Sequence, residues 1–158
     1  MTTSREIVGD LMTPKGNIAI VASRFNDFMV DKLIDGAKDA LLRHGVKEEN
    51  IDLIKVPGGY EIPLAAQAAA KTGRYSGIIT LGVVIRGDTA HFDYVAGGCA
   101  QGVMQAQLKT DIPMTLGVLT TENMEQAIAR SGSTAGNKGF EAATALIEMM
   151  NLLRKIHD

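Results

Sequence analysis

The chain has little aromatic surface, no second cysteine, no long apolar run and no excess of basic charge. Tryptophan is absent and aromatic residues make up 4% of the 158 positions, so the stacking platforms on which single-stranded nucleic acid lies are missing. Lys and Arg number 16 against 18 Asp and Glu, a formal net charge of −2. No global positive field draws in a polyanion or an anionic membrane, and any anion site must be local. The lone Cys99 excludes an intramolecular disulfide and fits a reducing compartment. Within Ala96-Gly97-Gly98-Cys99-Ala100 it reads as a buried small hydrophobe rather than a nucleophile. No stretch is apolar for long enough to span a bilayer, and the N-terminus lacks a basic-then-apolar signal pattern, so a soluble cytoplasmic protein is expected. His44, His91 and His157 are scattered and have no cysteine partners, so no metal-ligand spacing appears. A Walker loop, a dinucleotide glycine fingerprint and a Gly-X-Ser-X-Gly elbow are also missing.

What is present is an alternation of strands and helices. Apolar residues make up 46% of the chain, enough for a real core, and the length suits one domain over residues 1–158. Four strands are expected at Asn17–Ser23, Ile51–Val56, Gly77–Ile85 and Pro113–Thr120, and the first is apolar on both faces, as a buried parallel strand is. Helices are expected at Phe28–His44, with Asn26 or Asp27 as its cap and Gly45 as its stop, and at Glu61–Lys71, Phe92–Thr110, Asn123–Ser131 and Asn137–Ile156. Gly97, Gly98 and Gly102 weaken the third of these by about 1 kcal/mol each, tolerable where another backbone packs closely, such as that of a neighbouring subunit. The pattern predicts an α/β fold: a three-layer α/β/α sandwich around a four-stranded parallel sheet, flavodoxin-like, with right-handed crossovers. Ile7–Leu11 is expected as a short N-terminal strand joining the sheet of a neighbouring subunit.

In such a sheet the carboxyl ends of the strands lie along one edge, where ligands bind. All four ends carry unusual residues: Arg24-Phe25-Asn26, Gly58-Gly59-Tyr60-Glu61, Arg86 to His91, and Thr120-Thr121-Glu122-Asn123. The third turn leads into a helix, whose unpaired N–H groups and dipole favour an anion. Beside it stands His91, a side-chain type suited to carrying a proton. An anion cradle next to a proton carrier points to an enzyme acting on a phosphorylated substrate. Each residue also has a plainer reading: Phe25 as a core or staple residue, Glu61 as a dipole-favoured helix start, Arg130 as a dipole-favoured helix end, and Lys138 with Glu141 as a surface pair.

Taken in order, Ala22-Ser23-Arg24-Phe25-Asn26, Pro57-Gly58-Gly59-Tyr60-Glu61-Ile62-Pro63, Ile85-Arg86-Gly87-Asp88-Thr89-Ala90-His91-Phe92-Asp93-Tyr94, Gly117-Val118-Leu119-Thr120-Thr121-Glu122 and Gly136-Asn137-Lys138-Gly139 resemble the blocks of lumazine synthases. The resemblance runs from about Ile18 to the C-terminus. It implies condensation of 5-amino-6-(D-ribitylamino)uracil with 3,4-dihydroxy-2-butanone 4-phosphate to 6,7-dimethyl-8-ribityllumazine, with loss of phosphate and water, in riboflavin biosynthesis. It implies His91 as proton carrier. The pyrimidine and ribityl chain would lie on Phe25, Gly59, Tyr60, Glu61, Val83, Val84, Ile85, Leu116 and Lys138, and the phosphate on Gly87, Asp88, Thr89 and Arg130. It implies no metal or organic cofactor. It further implies a homo-oligomer, a pentamer or a sixty-subunit shell of twelve pentamers, whose sites lie between subunits with Leu116 and Arg130 reaching the neighbour's site. Riboflavin synthase is a candidate partner; nucleic acid and membrane are not. Many relatives have Phe where this chain has Leu116, so a wall is kept there and stacking is lost. The alternative on the same scaffold is a non-catalytic flavin or lumazine binder.

Overall fold

The computed structural model describes residues 3–87, 91–132 and 136–158. The elements follow the expected alternation: β1 Asn17–Ser23, α1 Asp27–Arg43, β2 Ile51–Val56, α2 Ile62–Lys71, β3 Tyr75–Ile85, α3 His91–Thr110, β4 Met114–Thr121, α4 Met124–Arg130 and α5 Lys138–His157. Single 3₁₀ turns precede β2 and α2. The sheet order is β2-β1-β3-β4 and every pairing is parallel.

Period-2 alternation splits the sheet's side chains between two apolar layers. Ile79, Leu81 and Val83 face α1 and α5, where Leu33, Ala37, Leu146 and Ile147 are fully buried. Ile78 and Val118 face α2 and α3, against Ala66, Cys99 and Val103. Both faces of β1 are buried from Ile18 to Ser23. The three-layer expectation holds, and it brings the four strand ends to one edge.

Helix limits have local causes. At the end of α1, Gly45 takes a φ of +89°, and the N–H of Val46 donates to the Leu41 carbonyl at 3.0 Å, closing the last turn. At its start Asn26 is the N-cap residue, but its side chain caps nothing there. Its φ is +63°, and its Nδ2 donates instead to the Val83 carbonyl at 3.1 Å. The left-handed backbone turns the amide away from the helix and toward β3. Two of the three glycines in α3 are accounted for within the chain. A Cβ on Gly102 would come within 2.6 Å of Pro63, and one on Gly98 within 3.3 Å of Tyr60, whereas one on Gly97 would meet nothing. The close packing expected from a neighbour at Gly98 and Gly102 is therefore supplied by α2 and the turn before it.

Residues 7–11 form no strand within this chain. Their polar backbone groups are held by α5 side chains instead: Asn151 Nδ2 donates to the carbonyls of Asp10 and Met12 (3.0 and 2.8 Å), and Lys155 Nζ to that of Val8 (2.9 Å). Lys155 Nζ also lies 2.7 Å from an Asp10 carboxylate oxygen. The Lys155 hydrogen bond, helped by the N–H of Met12, holds the Asp10 carboxyl below its usual 3.8. Because the folded value is lowered, the tether is fully formed above about pH 4 and is lost as pH falls through that folded value. The Asn151 side-chain amide also donates to Asp10 Oδ1. Its NMR shift should therefore titrate with a midpoint below 3.8 and stay flat in Asp10→Asn; a midpoint at or above the usual value would contradict the tether.

Candidate active site

The strand ends build one cleft. The N–H of Arg24 donates to the Val56 carbonyl at 2.8 Å and that of Phe25 to the Pro57 carbonyl at 3.2 Å, tying the turn after β1 to the turn after β2. Asn26 ties the same turn to the end of β3. Between these turns lies a cleft of about 780 Å³, lined by Phe25, Pro57 to Glu61, Val83 to Ile85, Gly87, His91, Phe92, Tyr94 and Val95. Its size is within the roughly 300–1,000 Å³ of small-molecule sites.

Most of the expected residues meet here: Phe25, Gly59, Tyr60, Glu61, Val83, Val84, Ile85, Gly87 and His91 all line the cleft. Phe25 is 70% exposed and Tyr60 66% exposed, so the core reading of Phe25 fails and its ring is open to a flat ligand. Glu61 ends the 3₁₀ turn before α2, and its Oε1 would lie 3.2 Å from a Cβ on Gly58. A side chain at Gly58 would crowd that carboxylate. A Cβ on Gly59 would likewise lie 3.2 Å from the Val95 side chain and 3.4 Å from that of Val84.

Asp88 and Thr89 lie outside the described residues. Leu116, Arg130 and Lys138 are exposed and do not line this cleft. Leu116 sits on the edge strand β4, Arg130 ends α4, and Lys138 opens α5. Phe92, Tyr94 and Val95 line the cleft, although the sequence reading assigned them no site role. Their signal is helical spacing: Tyr94 and Val95 stand three and four residues after His91, on the same face of α3.

Cys99 is 1% exposed, and burial pushes its thiol up to about 11. A thiol so protonated is no nucleophile at neutral pH. Among the described residues, no group of three or more His, Cys, Asp or Glu side chains gathers to hold a metal, and no helix is long and apolar enough to cross a membrane.

An exposed aromatic, a backbone edge along β3 and a histidine at a helix start thus share one cleft, on the blocks that carry the resemblance. The sequence model of 6,7-dimethyl-8-ribityllumazine synthase matches residues 15–154. The 6,7-dimethyl-8-ribityllumazine synthase of Nautilia profundicola is 55% identical over 154 residues, 96% of this chain and 99% of its own. That of Chlorobium phaeobacteroides is 55% identical over 152 residues, 96% of this chain and 98% of its own. Among solved structures, a de novo designed Rossmann fold protein overlaps 71% of this chain and 90% of its own, at 15% identity and a TM-score of 0.42, too loose a match to add to the topology read from the sheet. With the matched span covering every strand end that lines the cleft, the chain belongs to the 6,7-dimethyl-8-ribityllumazine synthase family.

Proposed function

We propose that the cleft condenses 5-amino-6-(D-ribitylamino)uracil with 3,4-dihydroxy-2-butanone 4-phosphate to 6,7-dimethyl-8-ribityllumazine, releasing phosphate and water, as a transferase of riboflavin biosynthesis acting in the cytoplasm. One observation carries the reading: the open ring of Phe25, the Val83–Ile85 edge and His91 line the same cleft. The pyrimidine stacks on Phe25 and pairs with the β3 backbone. The ribityl hydroxyls meet Glu61 and the amides around Gly59 and Tyr60. The phosphate meets Gly87 and the N-terminus of α3, where helix N–H groups favour an anion; Asp88 and Thr89 enter this role only through the family resemblance. His91 moves protons as the imine forms, phosphate leaves and the ring closes. A carrier of lumazines would need the aromatic face but neither proton carrier nor phosphate site.

Following lumazine absorbance and free phosphate together tests this. Both should rise in step above the spontaneous rate. Binding of lumazine with no acceleration would instead make the chain a carrier.

The exposed Leu116 and Arg130, set away from their own cleft, support a site completed between subunits of a homo-oligomer, with Arg130 binding the neighbour's phosphate through charge-assisted bonds. Exposed Met104 and Leu108 on α3 supply apolar surface for that contact, and the outer edge of β2 is open to a neighbour's residues 7–11. Arg130→Ala should raise KM for the phosphorylated substrate far more than for the pyrimidine. Co-refolding Arg130→Ala with His91→Ala chains should then restore activity at limiting phosphate substrate, because about a quarter of the sites in a closed ring would hold both native residues. Activity no higher than the sum of the two variants would place Arg130 outside a shared site.

A further inference from the structure

We propose that Arg86 is a positioning residue for the reaction. It ties the ends of β3 and β4 to the first turn of α3 and so fixes where His91 stands; the inference rests on the proton-carrying reading of His91. Arg86 follows the last residue of β3, and its backbone N–H donates to the Thr121 carbonyl at 2.8 Å, which anchors its Cα to the end of β4. From there the guanidinium reaches three ways. Nη2 lies 3.3 Å from Asp93 Oδ1, Nε lies 3.0 Å from Glu122 Oε2, and the guanidinium carbon lies 4.6 Å from the centre of the Phe92 ring.

Asp93 and Phe92 belong to the first turn of α3, which begins at His91, and Phe92 itself lines the cleft. Holding two consecutive residues of that turn from the sheet sets the direction in which the helix starts, and with it the place of His91. Glu122, just beyond β4, holds the guanidinium from the other side, so the plane cannot swing out with the helix. The side chains involved are 40 to 64% exposed, and ion pairs so exposed contribute little to stability. What the arrangement supplies is orientation. A planar fork meets two carboxylates in different directions while its face covers an aromatic ring, which the point charge of lysine cannot reproduce.

Steady-state kinetics on the intact enzyme test the clamp. Arg86→Ala should lower kcat by about tenfold, since misplacing a reacting group by roughly 1 Å can cost up to 10²-fold. KM for the pyrimidine should stay within about twofold, because Phe25 and the β3 edge are untouched, and Arg86→Lys should recover only part of the loss. In a His91→Ala background the further loss from Arg86→Ala should shrink to less than about twofold, as expected when one residue acts through another. A full tenfold loss in that background, or an unchanged kcat for Arg86→Ala alone, overturns the clamp. Wild-type kcat in His91→Ala overturns the His91 reading instead. Should Arg86→Ala fail to fold by circular dichroism, Glu122→Gln, which weakens one arm, replaces it in the same cycle with an expected loss of about threefold; an unchanged kcat there overturns the clamp equally.

Discussion

Replacing His91 by alanine is expected to slow turnover by about 10²-fold, the low end of what a positioned acid or base supplies. The low end is chosen for two reasons. The surfaces assigned to the pyrimidine, the Phe25 ring and the Val83–Ile85 edge, are built by the turn after β1 and by the end of β3, and Asn26 ties the two together. His91 is also an exposed residue at the cleft wall, so water can take over part of the proton traffic once the ring is gone. The loss should therefore appear in kcat, with KM for the pyrimidine within about twofold. Single-turnover absorbance with saturating substrates separates the chemical step from product release. A wild-type chemical rate in His91→Ala would remove the imidazole from the mechanism and leave the cleft as a template that only aligns the two substrates.

The architecture was readable because buried parallel strands and amphipathic helices leave different apolar periods. β1 is apolar from Ile18 to Ala22, and α1 buries Met29, Val30, Leu33, Ile34, Ala37, Ala40 and Leu41 at helical spacing. The cleft was readable because a parallel sheet sends the strands' carboxyl ends to one edge, and the ends of β1, β2 and β3 meet there, although the residues after β4 do not line it. Side-chain direction at a turn was not readable. Asn26 looked like a helix cap, yet its left-handed backbone points the amide at Val83. The contacts that hold residues 7–11 within the chain were not readable either, because they depend on Asn151 and Lys155, more than a hundred residues away. The three α3 glycines drew a neighbour into the reading when two of them answer to Pro63 and Tyr60 of the same chain. At Gly98 and Gly102 the glycine marks a close neighbour whose identity the sequence alone does not give, while Gly97 marks none.

The same distinction divides the Gly136-Asn137-Lys138-Gly139 block, and Gly139→Ala is expected to expose it through stability rather than binding. Asn137 is the N-cap of α5: its Oδ1 accepts from the N–H groups of Gly139 (2.8 Å) and Phe140 (3.1 Å), while its Nδ2 donates to the carbonyls of Lys32 (3.0 Å) and Ser131 (3.3 Å). The cap thus pins the start of α5 onto the middle of α1. One turn of helix then crosses α1 so closely that a Cβ on Gly139 would lie 2.0 Å from the Leu33 carbonyl oxygen and 2.8 Å from its carbon. Both obstacles are backbone, so no rotamer change relieves them, and the helices must part along a seam that buries Leu33, Ile34, Ala143 and Ile147. Overpacking of this kind costs about 1–3 kcal/mol, and the better helix propensity of alanine returns at most about 1. A net loss of about 2 kcal/mol lowers the melting temperature by roughly 4–8 °C for a chain of this size. Lys138→Ala, one residue earlier but exposed, should stay within about 0.5 kcal/mol of wild type, so that any defect it shows in turnover reports on substrate. Calorimetry of both variants makes the comparison. Should Gly139→Ala melt with the wild type, the two helices can separate without cost, and the glycine would have to answer to something outside the α1–α5 contact.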